Sequence, residues 1–167
     1  MALTTSELIA SLQNEVRILL HLAGKVEPSM LDYRPSPKQR STIELLRYLS
    51  MMGPTLVEGL QGGGFDPSAW TAAEHAAAAR DLEQTVAVIA GQADIYAAQL
   101  AAMSDADLRS EITLFGMTQS RGAHIVNMVL SGHAAYRTQL FLYLKACGRT
   151  DLGTMNLWGG MDAMGPK

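Results

Sequence analysis

The chain has 167 residues, a length typical of one domain and enough to bury about two-thirds of the surface of the unfolded chain. Its 13 basic and 16 acidic residues give a net charge of −3, and no cluster of lysine and arginine could neutralise several phosphates, so we expect it to bind neither nucleic acid nor an anionic membrane. The single cysteine, Cys147, excludes an internal disulfide and a cysteine-rich zinc site.

Two helices are predicted in the first part of the chain. Apolar residues recur at three- and four-residue spacing and predict a helix over 4–24. Ser41-Thr42-Ile43-Glu44 matches the capping box S/T-x-x-E, which predicts the start of a second helix over 41–61. Gly53-Pro54 lies inside that helix and predicts a kink or a break, because proline lacks a backbone donor and clashes with the preceding turn.

Two further helices are predicted in the second part. Thr71-Ala72-Ala73-Glu74 is another capping box and predicts the start of a helix over 72–103. In the connection that follows, residues 108–115 alternate in part and predict a short extended stretch. The fourth helix is predicted over 119–147, with Gly148 as its left-handed cap residue.

Four amphipathic helices with two long connections predict an all-α fold, a four-helix bundle. We expect one domain over 1–167, with a C-terminal tail over 149–167 that packs on the bundle through Asn156-Leu157-Trp158. No apolar run reaches the ~18 residues of a membrane helix, and the first residues lack the pattern of a signal peptide. We therefore expect a cytoplasmic protein that does not bind a membrane.

The interior face of the fourth helix is predicted from its spacing. The residues that fall on one narrow stripe of a helical wheel are Ile125, Val129, Gly132, Tyr136, Leu140 and Tyr143. His133 is rotated by about 100° from Gly132 and should flank this stripe. We expect a hydrogen-bonded, structural His133, with a role in a pocket or a metal site as the alternative.

The other histidines, His21, His75 and His124, form no i, i+4 pair with His133 or with each other. Such a pair is the simplest way for one helix to supply two imidazole ligands to a metal. We expect His75 and His124 to be exposed, and His21 to stabilise the end of the first helix or to be exposed as well.

Two motifs carry a resemblance to a known family. The first runs from Arg34-Pro35-Ser36-Pro37 through Arg40 to Leu49. The second is Gly132-x-x-x-Tyr136-Arg137-x-Gln139-Leu140. Together they resemble the DinB/YfiT-like four-helix-bundle family, whose last helix usually reads H-x-x-x-H-R-x-Q-L. The resemblance spans most of the chain and implies the fold of that family.

The resemblance also implies where a metal would bind and what it would do. Family members hold a divalent metal with one histidine of the second helix and two of the fourth, at the positions of Tyr48, Gly132 and Tyr136 here. Members studied as enzymes resemble metal-dependent thiol transferases or isomerases, which need a Lewis acid. Because all three ligand positions have lost their histidine, we expect a degenerate site with no metal and no other cofactor, and we assign no catalytic residue.

The same resemblance places candidate pocket residues. Tyr48 and Tyr136 should project into one interior space beside Gly132, where they either fill the former metal cavity or line a small-molecule pocket with a hydroxyl as donor. The methionines that could line an apolar pocket are Met51, Met52, Met117 and Met128, although methionine more often fills gaps in cores. Arg137 either forms a structural ion pair or binds a substrate carboxylate.

Three functions remain open at this stage. The first is an uncharacterised DinB-like protein that binds a small molecule or a protein partner without metal catalysis. The second is a metal-dependent thiol transferase or isomerase whose ligands have moved, with His133 recruited. The third is a structural homodimer, and dimerisation is expected in the first case as well, because many family members dimerise.

Overall fold

A bundle of long helices accounts for most of residues 3–163, which are the residues that the structure, a computed structural model, describes. The helices and strands in chain order are α1 (Thr5–Ala23), a 3₁₀ turn (Pro28–Met30), α2 (Thr42–Leu49), α3 (Met52–Gly62), α4 (Pro67–Ala78), α5 (Leu82–Ala101), α6 (Asp105–Arg109), β1 (Glu111–Leu114), β2 (Met117–Ser120), α7 (Arg121–His124), a π-helical segment (Ile125–Leu130), α8 (Ser131–Ala146) and a π-helical turn (Met155–Gly159).

The bundle is made by α1, α2, α5 and α8. Helix α1 packs against α5 and α8, and α2 packs against the same two helices. Fully buried leucines such as Leu12, Leu19, Leu45, Leu49 and Leu140 fill the space between them. The predicted all-α fold is therefore confirmed, with one small antiparallel hairpin added. Within the described residues no helix combines the length and the apolarity that crossing a membrane requires.

The predicted second helix is broken as expected. Helix α2 begins at the Ser41–Glu44 capping box and ends at Leu49, and α3 begins at Met52. Pro54 lies in the first turn of α3, where its missing N–H is not needed for the helix. The helix is therefore interrupted at Ser50-Met51, just before Gly53-Pro54.

The prediction of a single third helix over 72–103 is wrong. Helix α4 begins earlier, because the carboxylate of Asp66 accepts hydrogen bonds from the first backbone donors of that helix, and Thr71 lies inside it, where its hydroxyl donates to the carbonyl of Pro67. A second capping box, Asp81 with Gln84, then starts α5. The chain holds two helices here, because two N-terminal caps compete with one continuous alanine-rich run.

The predicted extended stretch is confirmed in part, because β1 covers four of its residues and pairs with β2. The turn residues between the strands, Phe115 and Gly116, have φ of +50° and +80°. Positive φ at both positions gives a tight hairpin turn, and phenylalanine is a strained choice there. The strand β2 occupies the predicted start of the fourth helix, which begins at Arg121 instead and ends before Gly148, a residue with φ of +100° as expected for the left-handed cap.

A π-helical segment changes which face of the last helix is buried. Because a π-turn contains one more residue than an α-turn, it rotates the residues that follow by about 100°. His133 and Arg137 are buried as a result, whereas Gly132 and Tyr136 are only half-buried. The prediction that His133 merely flanks the interior stripe is therefore wrong.

The chain after α8 contacts α1. Arg17 donates to the carbonyl of Gly159 over 3.0 Å, and Lys25 forms an ion pair with Asp162 at 2.8 Å. Asn156 is buried, whereas Trp158 is 69% exposed and does not pack into the core. Residues 164–167 of the predicted tail lie outside the described residues.

Candidate functional site

Two tyrosines from different helices meet, as the resemblance implied. The ring centroids of Tyr48 on α2 and Tyr136 on α8 are 5.1 Å apart, and the ring planes are 71° apart, an edge-to-face arrangement. Both side chains are half-buried. The predicted meeting of these two rings is thus confirmed, but they lie at the edge of the bundle core.

The surroundings of Tyr48 keep its hydroxyl protonated. Trp70 of α4 packs on it at 6.1 Å between centroids, and the guanidinium carbon of Arg40 lies 3.8 Å from the centre of its ring. Burial, and next the neighbouring phenol of Tyr136, raise the pKa of Tyr48 to about 12, although Arg40 acts in the opposite direction. The Tyr48 hydroxyl is therefore a neutral hydrogen-bond donor at neutral pH.

The space beside Gly132 is filled by Met52 and not by the tyrosines. A Cβ atom on Gly132 would lie 2.8 Å from the terminal methyl carbon of Met52 and 3.5 Å from its sulfur. The thioether of Met52 on α3 thus lies directly against α8 at Gly132, and a Cβ atom there would have to displace its terminal methyl group. The expectation that two tyrosines occupy this space is wrong, because the break between α2 and α3 brings Met52 over the helix.

His133 and Arg137 face away from the tyrosine pair. His133 is fully buried, and its Nε2 lies 2.6 Å from the hydroxyl of Tyr96 on α5. The expected hydrogen-bonded His133 is confirmed. Burial, and to a smaller extent the charge of Arg137, lower the pKa of His133 to about 4, so the imidazole is neutral at neutral pH.

The Tyr96–His133 pair lies under the break between α2 and α3. A Cβ atom on Gly53 would fall 1.8 Å from the hydroxyl oxygen of Tyr96, so only glycine fits there. Gln92, one turn earlier on α5, donates to the carbonyl of Leu49 over 2.8 Å. The buried residues Gln92, Tyr96 and His133 thus join α5 and α8 to the end of α2, and none of them lines the cleft beside Tyr48.

Arg137 takes part in a buried ion pair. Its Nε and Nη2 donate to the two carboxylate oxygens of Glu15 on α1 at 2.7 and 3.2 Å, and its Nη1 donates to the carbonyl of Leu157. The guanidinium is 3% exposed. Of the two roles expected for Arg137, the structure therefore shows the structural ion pair.

Of the three remaining histidines, His124 and His21 hydrogen-bond within the fold, and His75 is exposed. His124 is fully buried, with Nδ1 2.9 Å from the amide nitrogen of Gln119 and Nε2 3.1 Å from the carbonyl of Ile112. Its predicted exposure is wrong, because the β-hairpin folds over it. His21 contacts Asn156 at 3.0 Å near the end of α1, and His75 is exposed, both in agreement with expectation.

An open cleft of about 330 Å³ lies beside Tyr48. Its other lining residues are Arg40, Glu44, Arg47, Met51, Glu74, Ala77 and Ala78. Of these, only Met51 was a candidate from the sequence. The sequence does indicate that four cleft residues lie together. Glu44, Arg47, Tyr48 and Met51 follow i, i+3, i+4, i+7 spacing, which places them on one face of a helix.

The residues at the implied metal positions do not fit a metal site. A phenol with a raised pKa is a poor ligand at neutral pH, glycine offers no side chain, and Met52 fills the space at Gly132. Among residues 3–163, no group of three or more His, Cys, Asp or Glu side chains lies close enough together to hold a metal ion. The side chains at these positions are therefore not the three histidines that the family resemblance implies as metal ligands.

The fold is similar to that of a solved DinB-like protein. The crystal structure of YjoA, a DinB-like protein from Bacillus subtilis, matches with a TM-score of 0.68, covering 87% of this chain and 94% of that chain at 16% sequence identity. No protein-family model matches the sequence, and no curated protein matches it. The chain therefore has the DinB-like helical fold, and at this identity the likeness carries the fold alone.

Proposed function

We propose that this protein is a DinB-like domain that binds a small molecule in the cleft beside Tyr48, without metal catalysis. The observation that carries the proposal is that Tyr48 lines an open cleft and is held from behind by edge-to-face contact with Tyr136, which does not itself line the cleft. The pair occupies positions at which the resemblance implies metal ligands. A protonated Tyr48 supplies a directed hydrogen-bond donor where a metal would otherwise supply a Lewis acid.

The size and composition of the cleft support this proposal. Its volume of about 330 Å³ is at the lower end of the range for small-molecule sites. Met51 and Ala77 are buried beside it and give an apolar surface, while charged side chains surround it. An apolar surface with a few polar groups at the edge is the usual composition of a ligand pocket.

The test is a thermal-shift screen of a chemically diverse small-molecule library with four proteins. Ligands of the cleft should stabilise the natural protein and should stabilise Tyr48→Phe and Tyr136→Phe less. Tyr33→Phe is the matched control, because Tyr33 is another half-buried tyrosine and does not line the cleft. A library without stabilising compounds, or hits equally strong with all variants, would refute the proposal.

Metal analysis distinguishes this proposal from an enzyme with relocated ligands. Protein purified without a polyhistidine tag should contain much less than one equivalent of zinc, nickel or manganese. About one equivalent would favour the metal-dependent alternative, in which a ligand set forms from residues that are apart in the structure described here.

We also propose that the protein forms a homodimer. Leu142 on α8 is 57% exposed and Ile95 on α5 is 40% exposed, so two bundle helices carry large apolar side chains on their outer faces. Burying these side chains against a second copy would remove apolar area from water. Multi-angle light scattering at micromolar concentration should give twice the mass of one chain, and a monomer would refute the proposal.

A further inference from the structure

The charged side chains around the cleft differ in whether the protein itself neutralises or anchors them. Glu44 forms an ion pair with Arg34 at 3.2 Å and accepts from the backbone N–H of Ser41. Arg47 donates through Nε to the carbonyl of Arg80 over 2.7 Å. Arg34 therefore offsets the charge of Glu44, whereas Arg47 keeps its positive charge but is anchored on the backbone and is less free to turn toward a ligand.

The other two charged side chains have no such partners among residues 3–163. Arg40 forms no ion pair and no side-chain hydrogen bond there; its guanidinium rests on the ring of Tyr48 at 3.8 Å. Glu74, on α4, likewise forms neither an ion pair nor a hydrogen bond with the described residues. The cleft thus presents one uncommitted cation and one uncommitted carboxylate.

We infer that the ligand of this cleft is a small zwitterion with an apolar body, of the α-amino acid class. This inference rests on the proposed small-molecule site and names its ligand class. A ligand carboxylate would meet Arg40 and the Tyr48 hydroxyl, and a ligand ammonium group would meet Glu74. The apolar body would pack on Met51, Ala77 and Ala78.

The chemistry of the uncommitted groups favours a zwitterion over a simple acid or amine. A carboxylate alone would pair with Arg40 but would leave Glu74 without a partner and close to a second negative charge. An amine alone would leave Arg40 unpaired in the same way. Stacking on Tyr48 restricts the guanidinium of Arg40, so less side-chain freedom is lost when an anion binds it. The volume of about 330 Å³ suits a molecule of amino-acid size.

The experiment compares L-leucine with two matched analogues that each lack one charge. Isocaproate retains the carboxylate and the apolar chain, and isoamylamine retains the ammonium group and the apolar chain. Titration calorimetry should show that leucine binds at least about tenfold more tightly than either analogue, because each lacks one charge-assisted interaction.

Two variants assign the charges to the two ends of the ligand. Arg40→Gln should remove most of the advantage of leucine over isoamylamine, and Glu74→Gln should remove most of its advantage over isocaproate. Both side chains are exposed, so both variants should fold. Arg109→Gln and Glu83→Gln are the controls, because these exposed charges lie outside the cleft and should leave all three affinities unchanged.

The outcomes separate this inference from the proposed site. The zwitterion inference is refuted if leucine does not bind or binds no more tightly than the two analogues. It is also refuted if neither Arg40→Gln nor Glu74→Gln changes the preference for leucine. Library compounds whose binding depends on Tyr48 would in that case still support a small-molecule site. If no compound of any kind shows dependence on Tyr48, the site itself is refuted as well.

Discussion

The hydroxyl of Tyr96 lies 2.6 Å from Nε2 of His133, and both side chains are completely buried between α5 and α8. Nδ1 of His133 has no hydrogen-bond partner among the described residues. Among the described residues, the contact with Tyr96 is therefore the only hydrogen bond that the buried imidazole of His133 makes.

Replacing Gly53 with alanine should destabilise the protein by about 1–3 kcal/mol, because the new Cβ atom would overlap the Tyr96 hydroxyl oxygen at 1.8 Å. Gly91→Ala is the matched control. It is an exposed position in the middle of α5 with no atom within 4 Å of the new Cβ, and it should stabilise by about 0.5–1 kcal/mol. Urea unfolding measures both changes. Equal effects of the two substitutions would contradict the close approach at Gly53.

Tyr96→Phe should lower the free energy of unfolding by about 1–3 kcal/mol, because it leaves both ring nitrogens of His133 buried without a partner. Tyr33→Phe removes a hydroxyl that makes no hydrogen bond with any described residue, and it should change stability by less than about 0.5 kcal/mol. Chemical denaturation of both variants gives the comparison. A loss for Tyr96→Phe no larger than for Tyr33→Phe would show that the buried bond contributes nothing.

His133 should make the protein less stable as the pH falls from about 6.5 to about 4. Burial lowers the pKa of the folded imidazole to about 4, whereas the unfolded chain takes up the proton near the usual value of 6.5. The unfolded state therefore binds more protons in this window, and folding loses about 3 kcal/mol across it. Above pH 6.5 both states are neutral at this site and the contribution is constant.

The measurement is the free energy of unfolding of the natural protein and of His133→Gln at several pH values between 7.5 and 4. Subtracting the two curves removes the titration of the carboxyl groups, which the two proteins share. The difference should change steadily below pH 6.5, and a difference independent of pH would mean that His133 is not neutralised by burial.

Breaking the Arg137–Glu15 pair should cost about 3–5 kcal/mol, because Glu15→Gln leaves a guanidinium that is 3% exposed without its carboxylate. Asp105→Asn is the control. Its pair with Arg109 is 3.1 Å long but both side chains are mostly exposed, so its loss should cost less than about 0.5 kcal/mol. Thermal and urea unfolding test the difference. Similar costs for the two pairs would contradict the burial of Arg137.

The helices of the bundle could largely be predicted from the sequence because their signals are local, whereas the DinB-like type of the bundle was implied by the family resemblance. The Ser41–Glu44 capping box fixes the start of α2, Pro54 fixes the break before α3, and Gly148 fixes the end of α8. Each of these signals acts through the backbone donors and dihedral angles of a few neighbouring residues. Their effect can therefore be predicted without knowledge of distant contacts. The prediction of one third helix is wrong because Asp66 and Asp81 each cap a helix, whereas Thr71 lies inside the first of them.

The candidate site could be predicted only in part. The family resemblance implies that Tyr48 and Tyr136 lie together, and their rings do meet. The pocket role of Met52, Gly132, His133 and Arg137 stays a prediction without support from their contacts, since each has a partner elsewhere in the fold.

Tertiary structure alone decided the rest. One extra residue in the π-helical turn Ile125–Leu130 rotates α8, which buries His133 and Arg137 and leaves Tyr136 at the edge of the core. The cleft combines residues of α2 with Glu74 of α4, which are far apart in the chain. Helix periodicity shows which residues share a face of one helix, but it cannot show a rotation set by packing or which faces of two helices come to border one cleft.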